Sequence, residues 1–198
     1  MDIQEKFKKY NIVLASKSPR RQNLLRELGL KFKVVSKLPV KEDYPPCMAC
    51  EEIPVYLAKL KANSCKDFIG PDTILIAADT VVCINNEILD KPGNYHDAFS
   101  ILKKLSGNKH QVITGICIKS KYKETTFNSI SDVYFKSLTD PEIDYYIKTC
   151  KPYDKAGSYG IQEWIGYIGI ERIEGSYFNI MGLPTQQLYS ELCKFIES

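Results

Sequence analysis

Asn11-Ile12-Val13-Leu14-Ala15-Ser16-Lys17-Ser18-Pro19-Arg20-Arg21 decides how the chain folds, because a strand pattern and a helix start meet inside it. Residues 11–15 are a nearly continuous apolar run, as in a strand buried on both faces. Ser18 has the chemistry of a helix N-cap. Pro19 suits the first helical position, where its missing N–H leaves no gap. Leu24, Leu25 and Leu28 form the apolar face of that helix, and Gly29 marks its end. A buried strand feeding a helix is the opening of an α/β unit.

Outward from this unit, residues 32–36 read as a second strand and residues 38–50 as a proline-rich irregular stretch. Val55, Leu57, Ala58 and Ala62 give helical spacing over 53–65. The run 73–82 reads as a central strand, and Asn85-Asn86 as a hairpin turn leading to Ile88 and Leu89. A helix is expected over 95–105, ended by Gly107. Paired strands follow at 112–119 and 125–135. Thr139 and Glu142 form a capping box for a helix ending near Cys150. Residues 165–173 read as another strand and 185–195 as a C-terminal helix. This order predicts one mixed α/β domain over residues 1–198.

The bulk composition narrows the function classes. The chain has 198 residues and a formal net charge of +3, too small a bias to indicate a non-specific nucleic-acid binder. Residues 1–10 lack the apolar segment of a signal peptide, and no apolar run is long enough to span a membrane. The expected compartment is the cytoplasm. Seven cysteines in no tight framework read as reduced thiols. Cys47 and Cys50 form a C-x-x-C, but a zinc site would need two further ligands, and no second such pair exists. Of the two histidines, His96 is expected on a solvent-facing helix and His110 at a strand start, and neither is assigned to catalysis.

Several constellations carry chemistry. Ser16, Lys17, Ser18, Arg20 and Arg21 surround a helix start, where unpaired amides, hydroxyls and guanidinium forks can bind phosphate oxygens. The P-loop pattern is absent. Asp79-Thr80 ends the apolar run 74–78. A carboxylate closing a buried strand is costly unless it is paired or meets a cation. Lys61 and Lys91, taken alone, read as solvated surface. In the stretch 154–162 two glycines flank Tyr159, and the Gln162 amide can pair with a nucleobase edge. Glu42-Asp43 in the proline-rich loop, taken alone, reads as solvated acid.

In this order the motifs resemble the Maf family of nucleotide pyrophosphatases over nearly the whole chain. The matching pieces are Leu14 to Arg21, Leu57-Ala58 with Lys61-Ala62, Ala78-Asp79-Thr80-Val81-Val82, and Lys91-Pro92. They continue with Leu105-Ser106-Gly107, His110-Gln111-Val112, Thr114-Gly115, Asp154-Lys155-Ala156-Gly157, Tyr159-Gly160-Ile161-Gln162, Gly175-Ser176-Tyr177 and Gly182-Leu183-Pro184.

The resemblance implies an elongated α/β domain like that of inosine triphosphate pyrophosphatases, with a mixed, curved sheet and a cleft between two lobes. It implies water attack on the α-phosphorus of a nucleoside triphosphate, releasing pyrophosphate, in nucleotide-pool house-cleaning. Asp79 takes the place of the proton acceptor and meets the metal. Glu42 matches a metal ligand, with Asp43 as the alternative. Arg20, Lys61 and Lys91 match phosphate-binding positions. Arg20, Thr80 and Gln162 match positions tied to nucleotide choice. The implied cofactor is magnesium, with manganese as a second candidate, and the implied assembly is a homodimer.

The Asp79-Thr80-Val81-Val82 form resembles the branch acting on dTTP and UTP. Glu163 and Trp164 depart from the family, which usually has glycine after the Ile-Gln pair. The alternatives are the same reaction on a purine such as ITP or 7-methyl-GTP, or a non-catalytic nucleotide-binding regulator tied to cell division.

Overall fold

A computed structural model describes residues 3–35 and 41–197. The end of the expected second strand, at 36, and the first residues of the proline-rich stretch, 38–40, lie outside the described residues, as do 1, 2 and 198. The elements in order are α1 (Ile3–Phe7), β1 (Asn11–Leu14), α2 (Pro19–Glu27), β2 (Phe32–Val34), α3 (Ile53–Ser64), β3 (Thr73–Ile84) and β4 (Glu87–Ile88). Next are α4 (Tyr95–Leu105), β5 (Lys109–Lys119), β6 (Glu124–Phe135), α5 (Asp140–Cys150), α6 (Trp164–Gly169), β7 (Ile170–Glu174), α7 (Tyr177–Ile180) and α8 (Thr185–Glu197).

Among the described residues, seven strands form one mixed sheet in the order β2-β1-β3-β5-β6-β7, with β4 also on β3. β1 lies parallel to β2 and β3, whereas β3, β5, β6 and β7 pair antiparallel. The long β3 changes partner along one edge. Leu14 is the last β1 residue, opposite Ile76, and the Ala15 N–H donates to the Ile76 carbonyl at 2.8 Å. Contact on that edge resumes where the Leu89 N–H donates to the Val82 carbonyl at 2.8 Å. Ala78 and Thr80, between them, face a gap in the sheet at the carboxyl end of a parallel strand, where ligands sit in open α/β sheets.

The apolar side chains divide about this gap. Leu14, Leu24, Leu25, Ile74, Ile76, Leu188 and Leu192 pack β1, α2, β3 and α8 into one lobe. Val82, Leu89, Leu102, Leu105, Ile143, Tyr146 and Ile165 pack α4, α5 and α6 around the far half of β3 into the other. α3 crosses the sheet face between them, with Ala58 and Ala62 against Leu75 and Ala77, and Ile53 and Leu57 against Val81 and Ile113.

Local signals set several boundaries as read. Thr139 and Glu142 make the full capping box. Asn85 and Asn86 both have positive φ (50° and 63°), the conformation of a type I′ hairpin turn. Two readings need correction. Residues 164–169 are helical, and only 170–174 form a strand. Gly166 packs so closely on the preceding turn that a Cβ there would lie 1.9 Å from the Ile161 carbonyl oxygen. The apolar run therefore coils against its own chain instead of extending.

The cysteines are not all reduced. Cys50 is joined to Cys83 by a disulfide across a sequence separation of 33, while Cys47 is exposed and free. Packing of the α3 start against Val81 and Ile113 brings Cys50 onto β3, so the C-x-x-C spacing does not define the pairing.

Candidate active site

A cleft of about 380 Å³ opens at the sheet gap and draws its walls from both lobes. Its acidic floor is Asp79, which the structure places in the middle of β3 and not at its end. Val81 and Val82 carry the strand onward, as their apolar character implied, and Asp79 is 6% exposed. The Lys61 ammonium donates to the Asp79 carboxylate in a short hydrogen bond and lies 2.7 Å from Glu42 Oε1. Lys61 sits on the sheet-facing side of α3, about two turns from its start, which is why it is four-fifths buried and not the solvated lysine its local sequence suggests.

Glu42 therefore reaches the site, whereas Asp43 pairs with Lys41 at the surface. Lys91 lies 3.9 Å from the second Glu42 oxygen. Burial alone would raise the Glu42 carboxyl, but the Lys61 hydrogen bond, with Lys91 and Arg21 nearby, holds it below its ordinary value. Two carboxylates thus converge on one ammonium, close enough to share a single cation.

The strand-to-helix turn supplies the next wall. Ser18 caps α2, its hydroxyl accepting from the Arg21 N–H at 3.4 Å. Pro19 has no N–H and the Gln22 amide bonds the Ser18 carbonyl, so Arg20 carries the one first-turn amide left for a ligand. Ser16 accepts from the Ser18 N–H at 3.2 Å and shapes the turn from behind, and it is not among the cleft-lining residues. Arg21 donates to the Gly182 carbonyl (2.8 Å) and to the Thr80 hydroxyl (2.9 Å), and Thr80 in turn meets Thr114 at 2.9 Å. Desolvation lowers the Arg21 pKa, opposed by the Asp79 charge. Arg21 thereby fixes Thr80 across the sheet gap.

Arg20 reaches over the opening to Asp154 at 3.3 Å, a pair that sequence reading missed. Asp154 had stood only as part of a motif, and a partner 134 residues away leaves no local signal. The opposite wall is Asp154 to Ala156 and Tyr159 to Gln162. Of the residues singled out from sequence, Ser18, Arg20, Arg21, Glu42, Lys61, Asp79, Thr80, Lys91 and Gln162 line this one cleft. Lys155 and Tyr159, from the stretch 154–162, join them, and Tyr44 does so unforeseen.

Tyr159 is backed by the buried His110, whose Nε2 lies 2.8 Å from the Tyr159 hydroxyl and whose ring stacks on Phe135. Burial lowers the His110 pKa from 6.5 to about 4. Between those values the unfolded chain binds a proton that the folded chain refuses. The contribution is therefore complete above pH 6.5 and is lost as pH falls towards 4. The expected loss is about 3 kcal/mol over that window. Urea unfolding at pH 7 and pH 4.5 checks this. His110→Gln should show a smaller drop than the parent, and equal drops would remove His110 as a cause.

The fold places the chain in a known structural class. A HAM1 protein from Coxiella burnetii superposes with a TM-score of 0.52 at 14% identity, over 93% of this chain and 99% of the other. At that identity the likeness establishes the fold alone. The sequence pattern of the Maf-like proteins matches residues 11–195. A dTTP/UTP pyrophosphatase of Phocaeicola vulgatus is 50% identical over 96% of this chain and 98% of its own length. One from Porphyromonas gingivalis W83 is 50% identical over 98% of both. The chain belongs to the Maf family.

Proposed function

We propose that the chain hydrolyses dTTP and UTP to the nucleoside monophosphate and pyrophosphate, by attack of water on the α-phosphorus. The observation that carries this is the convergence of Asp79 and Glu42 on Lys61 inside a cleft walled by Arg20 and Lys91. A site built only to hold phosphates would be weakened by two carboxylates at its floor. The names and near-complete coverage of the half-identical relatives support the reaction and the pyrimidine substrates.

A triphosphate carries about four negative charges, so hydrolysis is a matter of neutralisation and positioning. Lys61, Lys91 and Arg20 bind the phosphate oxygens. Lys61 is held by Asp79 and Glu42, and Arg20 by Asp154. Substrate phosphates take over these cations, so the partners exchange as the nucleotide enters. The two released carboxylates fit magnesium, which is satisfied by one or two protein carboxylates together with substrate oxygens and water. When bound, that ion neutralises charge on the triphosphate. No cluster of three or more metal-binding side chains occurs among the described residues. Asp79 orients the attacking water and accepts its proton. Gln162 and Thr80 face the base.

The test is product analysis with magnesium and a panel of dTTP, UTP, CTP, ITP and 7-methyl-GTP. The expected result is monophosphate and pyrophosphate from dTTP and UTP, abolished by a chelator and restored by magnesium or manganese. The same products from a purine instead would retain the chemistry and overturn the pyrimidine assignment.

A further inference from the structure

The wall that presents Gln162 is held by residues outside the proposed chemistry. Residues 160–163 form a tight turn in which the Glu163 N–H donates to the Gly160 carbonyl at 3.0 Å. Ile161 points into the core at 7% exposure, and Gln162 is exposed and lines the cleft. Both ends of this turn are fastened to one hydroxyl. The Gly160 N–H donates to Tyr146 Oη at 3.0 Å, and Tyr146 Oη donates to the Glu163 carboxylate in a short hydrogen bond. Tyr146 is fully buried, so this anchor cannot swing. The other Glu163 oxygen lies 2.9 Å from the Lys155 ammonium, whose side chain is 9% exposed and also meets Asp154 at 2.7 Å. Gly160 lets the carboxylate sit over it: a Cβ there would lie 2.8 Å from Glu163 Cδ.

We propose that Glu163 is a specificity-determining positioning residue, clamping with Tyr146 and Lys155 the turn that offers Gln162 to the nucleobase. The inference rests on the pyrimidine-nucleotide reading above. A glutamine amide presents one donor and one acceptor side by side and can turn over to exchange them. It can therefore match uracil, with its N3–H donor and O4 acceptor, or cytosine, with its N3 acceptor and N4 donor. A fixed main chain holds the amide at one distance and angle to the base edge, in register with the rest of the cleft, whereas a loose turn lets it settle on either base. Glu163 supplies that fixity.

The test compares kcat and KM for UTP and CTP in the full-length chain and in Glu163→Ala, Glu163→Gln and Tyr146→Phe. Loss of the clamp removes about one hydrogen bond's worth of base recognition. KM for UTP should rise roughly 3- to 10-fold in Glu163→Ala and Tyr146→Phe, with kcat changed far less, and the UTP-to-CTP ratio of kcat/KM should fall by a similar factor. Glu163→Gln keeps an acceptor for Tyr146 and should recover most of that ratio. If Glu163→Ala fails to fold by circular dichroism, Tyr146→Phe and Glu163→Gln carry the comparison. A parental ratio in the clamp variants, or an equal fall in kcat for both bases, overturns the inference. If the parent turns over another base instead of UTP, the pyrimidine reading fails, and the same comparison with that base against CTP still decides the clamp.

Discussion

Asp79→Asn is expected to lower the rate of nucleotide hydrolysis by roughly 10²- to 10⁴-fold, the range for removing a positioned general base. Asparagine keeps the shape of the side chain and an oxygen that accepts from Lys61, but it cannot take a proton and is a far poorer cation ligand. The Lys61 ammonium retains Glu42 at 2.7 Å, so the floor of the cleft stays paired and the protein should fold. Lys61, Lys91 and Arg20 still face the phosphates, so nucleotide binding should survive. Titration with a non-hydrolysable triphosphate, beside steady-state rates, checks both halves. Parental turnover in this variant would take Asp79 out of the chemistry. Loss of binding and turnover together would make it a binding residue.

The second large effect is expected at a residue with no side chain. Gly115 on β5 is the register partner of Asp79, and the start of α3 rests directly on it. A Cβ at Gly115 would lie 2.2 Å from the Pro54 carbonyl carbon and from the Val55 nitrogen. Backbone cannot rotate out of the way, so Gly115→Ala must lift α3 from the sheet, and α3 carries Lys61. The expected cost is about 3 kcal/mol, a fall in Tm of roughly 6–12 °C for a chain of this size. Activity should fall even well below that temperature, because the Lys61 to Asp79 spacing changes with the helix. Gly70→Ala is the control, since a Cβ there meets only Thr73 Oγ1 at 3.4 Å. Equal Tm values for the two variants would refute the seating of α3 on Gly115.

These two residues illustrate what a sequence does and does not disclose. Asp79 is conspicuous because a charge inside an apolar run demands a partner, and that is a local argument. Capping at Ser18 and Thr139 and the turn at Asn85-Asn86 are legible for the same reason, since each signal and its structure lie within a few residues. Lys61 is different. Its neighbours in sequence describe a solvated helix, and only the packing of Ala58 and Ala62 on the sheet turns it inward, so its place in the site came from family resemblance. The Cys50–Cys83 disulfide, the Arg20–Asp154 pair and the Lys155–Glu163 contact depend on elements meeting in space and leave no mark in the nearby sequence. The run 165–173 misled because isoleucine and tyrosine favour strands, and the steric demand at Gly166 appears only once the turn before it is in place.

The central claim is that water attacks the α-phosphorus. It is tested most directly by turning over UTP in H₂¹⁸O with magnesium and locating the label by mass spectrometry. Attack at the α-phosphorus places one ¹⁸O in UMP and none in pyrophosphate. Label in pyrophosphate, or release of labelled orthophosphate, would put the attack on another phosphorus and contradict the account.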